Sequence, residues 1–322
     1  MTMAEFVKSE GGGVTALCTV SVWTRAMLGL EPSEVSALYF LDYCKSGGGL
    51  MQMRSDGKNG GQYLRIVEGT QAFSEHLAAS LKPDTLLLSS PVRSITQFSS
   101  GVSVSSARGD FHCKRVIVSV PTPLYKEIAF LPPLPSSKVA LCATTKLGTY
   151  AKLIVAYSSP WWREAKLCGL SQSPTGPYCV TRDTSVDAKE HYALTCFLCG
   201  EPGRQWNRLS TFEARREAVI EQLLRMYGPF VPGGIVPQPK EVIEQHWIEE
   251  QWSQGCPCPA MPPGLLTEFG DVLREPFGNV HFVGTETAYE WKGYMEGAVR
   301  SGERGAAEVV AASGIGTAVA KL

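Results

Sequence analysis

Two features of the chain place residues where chemistry is feasible. The first is a pair of stretches close together. Val280-His281-Phe282-Val283-Gly284-Thr285-Glu286 reads as a strand ending in glycine, and Gly293-Tyr294-Met295-Glu296-Gly297 as a loop running into a helix. A helix start offers backbone N–H groups without intrahelical partners and the positive end of a dipole. It can hold an oxygen that gains negative charge during a reaction. Many folds contain such a start, so the stretch selects no function by itself. The second feature is Lys152, a single lysine inside the apolar run from Ala151 to Ala156. Burying an ammonium is costly unless it is hydrogen-bonded. Either Lys152 serves a site, or its strand is an edge and the amine reaches solvent. The ten cysteines are scattered without a pair of C-x-x-C spacings. That pattern is not a zinc framework, and with no export signal the thiols read as mostly reduced and structural.

Periodicity and turn residues outline the elements that must position these groups. Ser33 to Lys45 reads as a helix, with Pro32 ahead of it and Gly47-Gly48-Gly49 closing it. A glycine-rich turn, Gly57 to Gly61, leads to an expected strand at Gln62 to Val67. Thr70 is placed to cap a helix whose Phe73, Leu77 and Leu81 recur every fourth residue. Three β-rich segments follow, at Thr85 to Ser89, at Val92 to Val104 broken at Ser100-Gly101, and at Lys114 to Val120. Prolines 121, 123, 132, 133 and 135 then end regular structure. Lys146 to Tyr157 is strand-like and runs into the aromatic turn Pro160-Trp161-Trp162. Ser210-x-x-Glu213 is a capping box for a helix carrying Val219, Ile220, Leu223 and Tyr227, stopped by Gly228-Pro229. In the last helix, Met295, Ala298, Val299, Gly302, Ala306 and Val309 share one apolar face, while Gly297, Ser301 and Gly305 permit close approach of a backbone or a flat ligand. No internal repeat is present. The mixture indicates an α/β or α+β fold.

Composition narrows the function classes. A chain of 322 residues suits one large or two modest domains. Lys plus Arg total 30 against 31 for Asp plus Glu, and no basic stretch stands out, which argues against a nucleic-acid surface. Hydrophobic residues make up 44% and charged residues 19%, enough to bury a substantial core. Met1 is followed by neither a basic nor an apolar leader segment. No run reaches the roughly 18 apolar residues of a membrane span.

A longer set of motifs then stands in a distinctive order. Trp247-Ile248-Glu249-Glu250-Gln251-Trp252-Ser253-Gln254-Gly255-Cys256, Pro262-Pro263-Gly264, F-V-G-T-E-T from Phe282 and W-K-G-Y-M-E-G-A-V-R-S-G-E-R from Trp291 closely resemble the C-terminal part of the flavin monoamine oxidase family. Upstream, Glu34 to Leu41, N-G-G-Q at Asn59 to Gln62, Pro91-Val92, L-G-T-Y-A-K-L-I-V at Leu147 to Val155 and Pro160-Trp161-Trp162 are similar as well. The resemblance runs unbroken from about Val14 to Val310.

The resemblance implies a site. Cys256 would tether FAD through a thioether, Lys152 would hold a water against the flavin, and Gln62 would line the amine cavity. Tyr294 would be one wall of an aromatic cage; the other wall should follow Cys256, where this chain has Pro257, so the cage is half built. Trp247 and Trp291 would lie beside the flavin, and Val92, Gly284, Thr285, Glu286 and Met295 near the cofactor. The family also opens with a Rossmann unit carrying G-x-G-x-x-G, which is not found in these 322 residues. Expected domains are a substrate domain from 1–66 and 142–249, an incomplete FAD-binding domain from 67–141 and 250–312, and a tail, 313–322. Expected chemistry is FAD-dependent oxidation of an amine, with dioxygen as acceptor and no metal. The alternatives are a flavin-free remnant acting as a binding or partner protein, or a chain completed by a second polypeptide that supplies the nucleotide-binding half; a homo-oligomer is a further expected partner state. No membrane anchor is expected in the tail, and Ala320-Lys321-Leu322 is a conservative variant of the S-K-L peroxisomal address.

Overall fold

The computed structural model describes residues 1–314. It forms two compact units: Met1–Phe40 with Lys146–Gly264, and Leu41–Thr145 with the chain from Leu265 onward. In chain order the strands are β1 (Val92–Phe98), β2 (Gly101–Ser106), β3 (Gly109–Cys113), β4 (Val116–Val118), β5 (Ala129–Leu131), β6 (Tyr150–Tyr157), β7 (Ser171–Gln172), β8 (Val180–Asp183), β9 (Tyr192–Cys199), β10 (Glu241–His246) and β11 (Val280–Phe282). Helices and mixed sheets together make an α/β fold.

The first unit is built on an antiparallel sheet in the order β10-β6-β9-β8-β7. Strand β6 alternates as a half-buried strand should. Ala151, Leu153, Val155 and Tyr157 point into the core, and Lys152, Ile154 and Ala156 toward the other face. Because β6 is flanked by β9 and β10, it is not an edge strand. The helix Phe212–Tyr227 lays Val219, Leu223 and Tyr227 on this core. Its cap falls one residue later than the expected box: Thr211, in extended conformation, accepts from the Ala214 N–H at 3.1 Å.

Beside this core sits a polar anchor with a pH signature. Asp183 accepts from Trp162 Nε1 (2.9 Å), Arg163 Nε (2.7 Å) and the Ser185 N–H (2.9 Å). Burial pushes its carboxyl up, but these donors outweigh that and hold it at about 2. The folded carboxyl is therefore more acidic than the unfolded one. Its contribution, on the order of 1 kcal/mol after solvent screening, is complete above the ordinary aspartate range and lost as pH falls toward 2. Thermal melts at stepped pH should show the wild-type advantage over Asp183→Asn shrinking across that window. An advantage constant down to pH 2 would contradict the assignment.

The second unit holds a sheet in the order β3-β2-β1-β5 and a parallel pair, β4 with β11. The expected long strand broken at Ser100-Gly101 is the hairpin β1–β2, with Phe98 opposite Gly101. The segment expected from Lys114 to Val120 pairs only over Val116–Val118, where Val116, Ile117 and Val118 face Val280, His281 and Phe282. Ile95, Val102, Val118, Tyr125, Phe130, Val280 and Phe282 form the core.

Four expectations are corrected. Gln62 to Val67 and Thr85 to Ser89 are irregular and exposed, because no neighbouring strand pairs with them. The helix Gln71–Ser80 forms, but Thr70 gives no side-chain cap and the helix buries no residue; Phe73, Leu77 and Leu81 all face outward. The helix expected from Ser33 begins at Ala37, since the Ser36 hydroxyl accepts from the Tyr39 N–H (3.3 Å) and sets the start. The close approach expected at Gly297, Ser301 and Gly305, by contrast, is borne out: these three are the buried stripe of the helix Met295–Ala312, whereas Met295 and Val299 on its apolar face are about half exposed. Close approach of backbone outweighed apolar area there. A Cβ at Gly297 would lie 2.3 Å from the Trp291 carbonyl, and one at Gly305 2.3 Å from Val283 Cγ1.

Candidate active site

In the first unit, Lys152 sits on the half-buried face of β6, opposite Phe197 of β9 and Gln245 of β10. Its Nζ lies 4.9 Å from the centre of the Trp247 ring and 5.3 Å from that of Phe197, a cation held by two π faces. Trp247 is fixed by its N–H, which donates to the Tyr150 carbonyl at 3.2 Å just beyond β10. Cys256 is anchored through its N–H to the Gly148 carbonyl (3.0 Å) and packs with Tyr150, Cys179 and Cys199. Burial pushes its thiol up to about 11, against a downward pull from the positive charge of Lys152. Lys152 is thus tied to Trp247 by the ring contact and to Cys256 by charge, and these two links define the Lys152–Trp247–Cys256 group.

In the second unit, Tyr294 and Gln62 converge on the Met53 carbonyl. The Tyr294 hydroxyl is 3.4 Å from it and Gln62 Nε2 is 3.2 Å from it. The Tyr294 ring stacks on Tyr43 at 6.4 Å between centroids and meets Trp291 edge-on at 5.4 Å. Burial raises the Tyr294 pKa, opposed by hydrogen bonding to Tyr43. The helix Ala37–Ser46 organises this group. The Ser46 carbonyl accepts from the Trp291 N–H (2.9 Å), its hydroxyl accepts from the Lys292 N–H (3.2 Å), and Asp42 pairs with the Lys292 ammonium.

Thr285–Thr287 form a 3₁₀ turn after β11, with Gly284 just ahead of it. Thr285 Oγ1 donates to the Tyr294 carbonyl at 2.7 Å, which joins the turn to the start of the helix at Met295. That helix has 18 residues and no side-chain cap at Tyr294, so its first amides remain available. The Glu286 carboxylate turns inward, accepting from the Thr122 N–H (2.8 Å) and Oγ1 (2.9 Å). Burial raises its pKa, offset in part by these bonds. Val92 opens β1, on the four-stranded sheet rather than at this turn.

Tyr43, Asp42, Ser46 and Thr122 contact these candidate residues or their neighbours, and sequence reasoning passed over them. Tyr39 and Tyr43, four apart in one helix and both buried, were the available signal for the first of these.

The family model for flavin containing amine oxidoreductase matches residues 7–310. Amine oxidase [flavin-containing] B of Canis lupus familiaris is 35% identical over 317 residues, which cover 98% of this chain and 60% of that protein. The Homo sapiens protein of the same name is 34% identical with the same coverage. Among solved structures, cyclohexylamine oxidase from Brevibacterium oxydans IH-35A superposes with a TM-score of 0.87 at 29% identity, covering 97% of this chain and 68% of that one. The chain thus spans about 60% of the length of these curated relatives.

Proposed function

The chain belongs to the flavin-containing amine oxidoreductase family, and from that premise we propose that it oxidises an amine with FAD as its resident cofactor. The products would be an imine, which hydrolyses to an aldehyde and ammonia or a smaller amine, and hydrogen peroxide formed from dioxygen. The observation that carries this reading is the Lys152–Trp247–Cys256 group, where a cation lies over a π face and its charge acts on a thiol.

The residues fit the ring portion of such a cofactor. The uncapped helix start at Met295 suits an electron-rich carbonyl edge. Gly284, at φ 132°, allows a backbone course that a side chain would strain. When bound, FAD supplies the two-electron acceptor that no amino-acid side chain offers. In this reading Cys256 tethers it, and Trp247, Trp291, Val92, Gly284, Thr285, Glu286 and Met295 form its surroundings. Lys152 holds a water by its ammonium. Tyr294, with Tyr43 stacked behind it, presents an aromatic face to the amine, and Gln62 offers it a polar contact. We assign the amine-facing role to 1–66 and 142–249, and the cofactor-facing role to 67–141 and 250–312. Ala320-Lys321-Leu322 lies outside the described residues; we propose it as a peroxisomal address, a compartment suited to a peroxide producer. Among the described residues no helix is long and apolar enough to cross a membrane.

One observation favours a variant of this reading, in which a further polypeptide segment supplies the nucleotide-binding half. Among the described residues the parallel pair β4–β11 has two strands, and Leu64, Leu77 and Leu88 are each more than 60% exposed. Parallel sheets are otherwise covered on both faces. Purified protein incubated with FAD and freed of excess should be yellow and release peroxide from at least one member of an amine panel. Protein that stays colourless at saturating FAD removes the oxidase reading for this chain alone.

A further inference from the structure

We propose that Glu286 is a positioning residue whose buried carboxylate clamps the turn after β4 to the turn after β11, setting the Gly284–Thr285 backbone for the cofactor. The inference rests on the flavin reading above. Both turns leave the carboxyl ends of parallel strands, which is where open α/β sheets bind their ligands. The ladder continues one step beyond the strands, with the Val283 N–H donating to the Val118 carbonyl at 2.9 Å. There the two chains diverge, one into Pro121-Thr122 and the other into Gly284–Thr287. Glu286 spans the gap with a single oxygen: Oε1 takes both the N–H and the hydroxyl of Thr122.

The surroundings of this contact are built for it. Thr122 is fully buried, and its carbonyl accepts from Cys142 Sγ at 3.0 Å. A Cβ at residue 284 would come within 2.8 Å of Glu286 Oε2, so glycine there makes room for the carboxylate. The Gly284 N–H donates to Ser301 Oγ (3.1 Å), and the Gly284 carbonyl accepts from Thr287 Oγ1 (2.8 Å). Arg304 Nη2 donates to Thr287 Oγ1 (2.9 Å), and Arg274 Nε to the Thr287 carbonyl (2.7 Å). Thr285, between these fixed points, spends its hydroxyl on Tyr294. A carboxylate buried against neutral donors is expensive to keep, and packing alone would be served by an apolar side chain. What an apolar residue cannot do is accept two hydrogen bonds from the opposite turn.

The test pairs FAD titration, followed by flavin fluorescence and by the shape of the flavin absorption band, with hydrogen exchange on cofactor-free protein. Glu286→Gln keeps an acceptor for Thr122 and should bind FAD within about threefold of wild type. Glu286→Ala should bind at least about tenfold more weakly. Thr122→Val removes one donor and should fall between them, which keeps the proposal open to test should Glu286→Ala fold poorly. Without cofactor, Glu286→Ala or Thr122→Val should speed exchange at 119–123 and 283–288 together. Equal affinities for Glu286→Ala and wild type, failure of Gln to rescue, or faster exchange confined to the mutated turn would each overturn the clamp. If wild-type protein binds no FAD, the flavin reading fails, and the paired exchange decides the clamp unaided.

Discussion

Lys152→Met is expected to cut amine-dependent peroxide release by about a hundredfold or more, the range typical of removing a group that positions a proton-carrying water. The argument starts from placement. Lys152 occupies a central strand, opposite Phe197 and Gln245, with its head against the Trp247 and Phe197 rings. An ammonium placed there is partly stripped of water and lies against two ring faces. Methionine retains most of the stem and packs against the same rings but donates nothing. The loss of the ring–cation contact itself should cost only about 0.5–1 kcal/mol of stability. The two effects therefore separate: a large drop in turnover with a small shift in melting temperature supports the role. Turnover equal to wild type would remove Lys152 from the mechanism, whatever the melting temperature does.

How much of this was legible in the sequence depends on whether an element's own pattern decides its fate. Strand β6 was legible because its alternation is self-contained, and only the choice between edge and interior needed the neighbours β9 and β10. The helix Phe212–Tyr227 was legible for the same reason, apart from a cap displaced by one residue. Gln62 to Val67 failed because apolar and β-branched content makes a strand only where another strand pairs with it. The small-residue stripe of the helix Met295–Ala312 was legible as well. An apolar face was present, but packing selected the stripe of Gly297, Ser301 and Gly305, because backbone approaches most closely where side chains are smallest. Motif likeness nominated Lys152, Cys256, Tyr294 and Gln62, yet could not show that Gln62 and Tyr294 share the Met53 carbonyl. Nor could it show that Glu286 turns inward to Thr122. Such contacts join residues distant in the chain, and no local pattern records them.

Cys256→Ala should abolish flavin that survives acid precipitation, while wild-type protein saturated with FAD retains it. The thiol is the proposed nucleophile of the Lys152–Trp247–Cys256 group, but burial holds it at about 11, so only a minute fraction is thiolate at neutral pH. The sign of the pH dependence follows. Below its pKa the thiolate fraction rises about tenfold per pH unit, and the attachment rate should rise with it between pH 7 and 9. Cys258→Ser is the control: that thiol is fully buried, and its Sγ is engaged with the Pro259 carbonyl at 3.4 Å. Attachment persisting in Cys256→Ala, or flavin wholly released by acid from the wild type at every pH, would refute the tether. The two largest effects are also linked through charge. Lys152 pulls the Cys256 thiol downward, so Lys152→Met should slow attachment as well as turnover. Raising the pH should restore attachment in Lys152→Met but leave its turnover low, because alkali supplies the missing thiolate and not the missing donor.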